Sequence, residues 1–253
     1  MSRSVVCAFA LLAPLAQIVA PAVSQESPRQ SHERLRATVS KEVALDYLLA
    51  LPDGYSDDGD PWPLILFLHG AGERGSDLEK VKIHGPPKLV EAGRAIPAIV
   101  VSPQCPEDSW WTSHLDALVA LLDDLEARFN VDPDRIYVTG ISMGGYGTWA
   151  LAALQPERFA AAAPVCGGGS GVATAVQVRD LPVWAFHGEA DPVVPVEESQ
   201  RILDAIERFG GTKAKLTTYP GVGHDSWTQT YEDPKLWEWL FAQRRGGAST
   251  AAP

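Results

Sequence analysis

Gly140-Ile141-Ser142-Met143-Gly144 is the stretch of this sequence whose residue types are best arranged for covalent chemistry. Ile136, Tyr137, Val138 and Thr139 precede it as a buried strand, after a turn at Asp132-Pro133-Asp134. Residues 145–154 follow as a helix. A serine at such a strand-to-helix corner sits in a strained turn, its Oγ above the sheet edge. Glycines flank it because a Cβ two positions away would collide across the turn. The start of the next helix favours negative charge that develops beside the serine.

A serine hydroxyl is too weak an acid to attack as alkoxide near neutrality, so a neutral imidazole must take its proton. A carboxylate then fixes the imidazole tautomer. The G-x-S-x-G corner calls for acid and then histidine in chain order, each beyond a later strand. Asp191 and His224 meet that requirement: residues 181–187 read as a strand followed by Gly188-Glu189-Ala190-Asp191, and residues 213–219 as the last strand, followed by Pro220-Gly221-Val222-Gly223-His224. Glu189 is the rival carboxylate, while Asp225 is a poor orienter because sequence neighbours point apart. His69 and His187 close strands and read as packed or loop-bracing residues. His32, His84 and His114 have no comparable context.

The third requirement is a site for the oxyanion. Residues 63–68 form the most apolar strand and end in His69-Gly70-Ala71-Gly72. One backbone donor is expected from Met143, after the serine, and the other from Ala71 in this earlier loop. The same loop contains Gly70-Ala71-Gly72-Glu73-Arg74-Gly75, a G-x-G-x-x-G match, with Glu91 near the spacing of a ribose-binding acid. Its context fails the dinucleotide fingerprint. Gly85-Pro86-Pro87 breaks the helical pattern, and the next strand, residues 98–102, ends in Pro103-Gln104-Cys105 without an acid. No cofactor is expected, and no metal motif occurs.

The elements around these residues alternate. Val43, Leu45, Tyr47 and Leu49 alternate within residues 39–51, the pattern of an antiparallel strand with one wet face. Leu115, Leu118, Leu122, Leu125 and Phe129 form a helical stripe, with Ser113 and Asp116 as its capping box. Ile202, Ala205, Ile206 and Phe209 form another, stopped by Gly210-Gly211. A last helix opens at Asp233-Pro234 and buries Leu236, Trp237, Leu240 and Phe241. Strand–helix alternation gives a doubly wound, mostly parallel sheet flanked by helices. Ligands of such sheets bind outside the carboxyl ends of the strands, where Ser142, Asp191 and His224 lie.

Residues 1–24 read as a signal peptide, with Arg3 as the early charge, an apolar run broken at Pro14, and cleavage expected after Ser24 (or Ala22). That implies a secreted or periplasmic protein, and the run is too short and interrupted for a membrane anchor. Residues 25–36 form a polar entry, 37–245 a single domain, and 246–253 a fraying tail. A net charge of −11 argues against nucleic acid or an anionic membrane as partner. Oligomeric state is not readable.

With these motifs assembled, the chain resembles the α/β-hydrolase superfamily. More narrowly, it is similar to bacterial carboxylesterases and predicted peptidases related to dienelactone hydrolases, polyhydroxybutyrate depolymerases and feruloyl esterases. Leu68 to Gly75, Ser102 to Pro106, Gly140 to Gly147, His187 to Asp191 and Gly223 to Asp225 carry the resemblance. It implies an α/β-hydrolase fold and a serine carboxylesterase acting through an acyl-enzyme on a small-molecule or polymer-linked ester. A prolyl-oligopeptidase-like peptidase on the same triad, or a non-catalytic carbohydrate-binding protein, are the alternatives. Dienelactone hydrolases proper carry a cysteine nucleophile where this chain has Ser142, so lactonase activity is not implied. About fourteen residues join the strand ending at Cys166 to the next, so no cap domain fits and the site should be an open groove. Trp110, Trp111 and Trp227 are expected to line it, and Arg74 either to brace the oxyanion loop with Glu73 or to meet an acidic substrate. In a sheet of this kind Cys105 and Cys166 lie three strand steps apart, about 14 Å. That exceeds the reach of a disulfide, so both should be free.

Overall fold

A computed structural model of the chain describes residues 32–246. The expected signal peptide, its cleavage point and all but Gly246 of the expected tail lie outside the described residues. The chain divides into two units, Met1–Lys41 and Glu42–Pro253. In the first, residues 32–41 are exposed and carry no regular secondary structure. The second holds every strand and helix among the described residues.

Its sheet runs in the order β1 (Tyr47–Ala50), β3 (Ile99–Pro103), β2 (Trp62–Leu68), β4 (Val131–Ile141), β5 (Ala161–Val165), β6 (Val183–Gly188), β7 (Ala214–Tyr219). Only β1 is antiparallel to its neighbour; the other pairings are parallel. The helices are α1 (Gly85–Glu91), α2 (Leu115–Arg128), α3 (Met143–Leu154), α4 (Gly171–Val178), α5 (Glu197–Arg208), α6 (Trp227–Glu232) and α7 (Pro234–Ala242). Strand β2 shows why both faces are covered. Leu64, Leu66 and Leu68 pack into one core with Leu118, Trp149 and Ile202 of α2, α3 and α5. Ile65 and Phe67 pack into a second core with Tyr231, Leu236 and Leu240 of α6 and α7. Successive side chains of a strand point to opposite faces, so an unbroken apolar run fits only a strand buried on both sides. Each such side chain contributes about 1.5–3 kcal/mol relative to exposure.

This is the expected α/β-hydrolase architecture, and the connection from β5 to β6 contains only the short helix α4 in place of a cap. No helix among the described residues is long and apolar enough to cross a membrane. Cys105 and Cys166 are free and buried, at the ends of β3 and β5, three strand steps apart.

Several local expectations need correction. The alternation over residues 39–51 yields only the four residues of β1, because its partner β3 supplies ladder positions for Val100 to Pro103 alone. Asp132-Pro133-Asp134 lies inside β4 as an irregularity against β2. There Asp132 Oδ1 accepts the Asp134 N–H at 3.0 Å, a bond the ladder does not supply. Gly85-Pro86-Pro87 starts a helix instead of breaking one, since prolines in a first helical turn give up only N–H groups that have no partner there. The Ser113–Asp116 capping box does not form: Ser113 belongs to a 3₁₀ turn, Trp111–Ser113, and His114 is the N-cap of α2. Asp116 Oδ1 accepts the adjacent Ala117 N–H instead. Phe241 is half-buried, whereas Leu236, Trp237 and Leu240 are buried as expected.

Candidate active site

All strands from β2 to β7 run parallel, so the loops leaving their carboxyl ends share one edge of the sheet. Ser142 follows β4, Asp191 lies three residues past β6 and His224 five past β7. Ser142 has φ +51° and ψ −114°, a strained conformation for a side-chain-bearing residue. Its neighbours explain the glycines. A Cβ at Gly144 would lie 1.8 Å from the Leu68 carbonyl oxygen, and one at Gly140 2.5 Å from the Gly144 carbonyl oxygen. The corner therefore packs against the end of β2 with no room for a methyl group.

The three side chains form one hydrogen-bonded row. Asp191 Oδ2 accepts from His224 Nδ1 at 2.7 Å, which leaves the Nε2 lone pair facing the Ser142 hydroxyl at 2.9 Å. Asp191 is itself held: its Oδ1 accepts the N–H groups of Val193 and Val194 at 2.8 and 3.0 Å. Burial alone would raise its pKa, but the bonds from His224, Val194 and Val193 bring it below the ordinary carboxylate value. The carboxylate stays ionised. Ser142 is half-buried, so the row opens to the surface.

The rival carboxylates are engaged elsewhere. Glu189 Oε1 accepts from Thr218 Oγ1 at 2.8 Å on the surface, and Asp225 accepts both the N–H and the hydroxyl of Thr228 at 3.0 Å. The two strand-end histidines brace loops. His187 Nε2 donates to the Val194 carbonyl at 2.9 Å and its Nδ1 lies 2.8 Å from Ser199 Oγ, while burial lowers its pKa. His69 Nδ1 donates to the Gly70 carbonyl at 2.6 Å and its Nε2 accepts the Cys105 N–H at 2.9 Å. Burial drives the His69 pKa down to about 4.

Met143 and Ala71 are the first residues of α3 and of the 3₁₀ turn Ala71–Glu73. The N–H of a first helical residue has no intrahelical partner, so both are available to an outside acceptor. The Gly70–Gly75 loop forms this turn, and the segment Leu78–Ile83 after it is also 3₁₀, so the long helix of a dinucleotide site does not open there.

Arg74 is a brace. Its Nε donates to the Ala71 carbonyl at 2.9 Å and Nη1 to the Ser109 carbonyl at 3.1 Å, tying the two loops together without a pairing to Glu73. Trp110 is 50% exposed beside Ser109, whereas Trp111 is fully buried and cannot line a groove. The reason is its indole N–H, which donates to the His69 carbonyl at 2.9 Å and draws the ring inward. Trp227 is half-buried with its ring against that of His224, 5.3 Å between centroids. Two neighbours of the row gave no sequence signal. His84 accepts from the Trp227 indole N–H at 3.3 Å. Cys166 joins Asp191 and His224 in a group whose potential ligand atoms lie within 4.8 Å. Burial pushes the Cys166 thiol up to about 12, and it stays protonated.

Strands in this order, helices on both faces and Ser, Asp and His loops at one edge define an α/β-hydrolase. The profile of the dienelactone hydrolase family matches residues 106–235, just over half of the sequence, and the chain belongs to that family. It is 25% identical over 217 residues to a "Probable feruloyl esterase C" of Aspergillus terreus, covering 83% of this chain and 78% of the relative. The solved structure of a thermostable esterase superposes with a TM-score of 0.71 at 38% identity, over 80% of this chain and 60% of that one. Est1E of Butyrivibrio proteoclasticus, solved with ferulic acid bound, shares the fold at TM-score 0.56 and 19% identity, over 79% and 95% of the two chains. The chain is a carboxylesterase-type hydrolase.

Proposed function

We propose that the chain is a serine carboxylic-ester hydrolase working through an acyl-enzyme, with Ser142 as nucleophile, His224 as base and Asp191 as its orienter. The row of hydrogen bonds from Asp191 through His224 to Ser142 carries this reading. Ser142 Oγ attacks the ester carbonyl carbon while its proton passes to His224 Nε2, and Asp191 stabilises the imidazolium. The N–H groups of Met143 and Ala71 hold the oxyanion. Collapse breaks the C–O bond, the alcohol leaves with the proton from Nε2, and water repeats the sequence on the acyl group.

The open edge and the exposed Trp110 suit short-chain, aryl or carbohydrate-linked esters, in keeping with the feruloyl esterase relatives. The charged, apolar and small-residue order of residues 1–24 supports export of a single catalytic domain that follows a polar entry. The test is hydrolysis of matched p-nitrophenyl esters and anilides, with fluorophosphonate labelling. The wild type should cleave the ester and label, and Ser142→Ala should do neither. Anilide cleavage at ester-like rates would favour a peptidase, and near-native ester turnover by Ser142→Ala would overturn the assignment.

A further inference from the structure

Two hydrogen bonds hold the His224 ring, one at each nitrogen. Bonds at those two points restrain the ring along the line between them but only weakly restrain its tilt about that line. The ring also hangs from the glycine-rich segment Pro220-Gly221-Val222-Gly223, whose Gly221 has φ +71°. A third contact supplies what these lack. Trp227 opens α6 and its indole meets the His224 ring at 89°, with centroids 5.3 Å apart. A perpendicular aromatic partner resists tilt, and such pairs contribute beyond their buried area.

The indole is fixed in turn. Its N–H donates to His84 Nδ1 at 3.3 Å, with the rings 5.3 Å apart at 61°. An accepting Nδ1 leaves the His84 proton on Nε2, which faces Oε1 of the buried Glu73 at 3.9 Å. Glu73 belongs to the turn that begins at Ala71. A second row, Glu73, His84 and Trp227, therefore runs beside the first and ends on its histidine. Thr228, next to Trp227, is held by Asp225, and the Ser226 N–H bonds the His224 carbonyl at 2.8 Å, so the start of α6 is anchored to the same loop.

We propose that Trp227, oriented by His84, is a positioning residue that sets the plane of the His224 imidazole. This rests on the reading of His224 as the base. The ring must accept a proton from Ser142 and deliver it to a leaving oxygen elsewhere, so its plane governs the rate of the chemical step and not the binding of substrate. Trp227 is thus assigned to the base, and its contribution should appear in kcat.

The experiment measures kcat and KM for p-nitrophenyl acetate, with active enzyme counted by fluorophosphonate titration. Trp227→Leu removes both ring and donor, and Trp227→Phe keeps a ring. His84→Leu removes the acceptor, while His84→Gln restores one. Trp227→Leu should lower kcat per active site about tenfold with KM within about twofold. Trp227→Phe and His84→Leu should each lose less, His84→Gln should recover most of the loss, and the double variant His84→Leu/Trp227→Leu should be no slower than Trp227→Leu alone. Unchanged kcat per active site in Trp227→Leu would overturn the proposal. So would a loss confined to KM, which would make Trp227 a substrate contact, or a loss only in the number of active sites, which would make it a folding residue. A wild-type enzyme that neither labels nor depends on Ser142 would instead remove the reading beneath it.

Discussion

His69 couples stability to pH in a direction and amount that the structure specifies. Its ring is fully buried, edge-on to Trp111 with centroids 5.0 Å apart. Nδ1 donates to the Gly70 carbonyl and Nε2 accepts the Cys105 N–H, with Glu73 3.9 Å away. A second proton would turn Nε2 into a donor facing another donor. Burial accordingly lowers the pKa from 6.5 to about 4. The unfolded chain takes up this proton near 6.5 and the folded one only near 4, so stability is complete above 6.5 and is lost as pH falls between those values. The full loss is roughly 3 kcal/mol, of which about 2 kcal/mol is reached at pH 5. His187, also held neutral by burial, contributes in the same direction.

Comparing wild type with His69→Gln isolates one residue. Gln cannot protonate in this range and keeps an acceptor for Cys105, while the His187 contribution remains in both proteins. In urea denaturation at pH 7.5 and pH 5, the wild type should lose about 2 kcal/mol more than the variant, roughly 1 M in midpoint. Parallel pH dependence in the two proteins would refute the reasoning, whatever their absolute stabilities.

Three further outcomes follow from the site. Ser142→Gly should abolish ester hydrolysis yet raise stability by about 1 kcal/mol, because glycine relieves the strain at φ +51°; a thermal melt checks this, and a lower Tm would count against stored strain. Asp191→Asn should reduce kcat by roughly three to four orders of magnitude through loss of the imidazole tautomer, while Glu189→Gln, whose amide oxygen can still accept from Thr218, stays within about twofold. Trp111→Phe removes the bond to the His69 carbonyl and should cost about 1–2 kcal/mol in denaturation with KM unchanged, as expected of a core residue and not a groove residue.

Much of this architecture was legible because a parallel sheet converts chain order into position. Once residues 136–139, 181–187 and 213–219 are read as strands running the same way, the residues just past them must share an edge. The loops past β6 and β7 then carry Asp191 and His224 back along that edge to Ser142, three strand steps from β7. Local signals failed where a neighbour in space prevailed over a neighbour in sequence. Ser113 has the spacing of a capping residue, but the 3₁₀ turn Trp111–Ser113 takes it first. Position after a strand placed both Trp110 and Trp111 near the site without saying which way either points. The His69 carbonyl decided that for Trp111, from 42 residues away. Gly85-Pro86-Pro87 misled for a different reason: proline both breaks and begins helices, and only the packing of Pro86 and Pro87 into the interior selects the second.

The contact that left no trace in the sequence joins Trp227 to His84. The two are 143 positions apart, so no spacing rule connects them. Their meeting depends on α1 beginning at Gly85, directly after His84, and on α6 beginning at Trp227. Both helices start at the sheet edge that carries Ser142 and His224. Chemistry that must occur at the ends of strands leaves a recurring order in the sequence; residues that hold the reacting groups still can come from any element that ends nearby. A test of His84 is therefore a test of whether the second row matters to the first, and the kcat of His84→Leu relative to His84→Gln separates a required acceptor from simple packing beside Trp227.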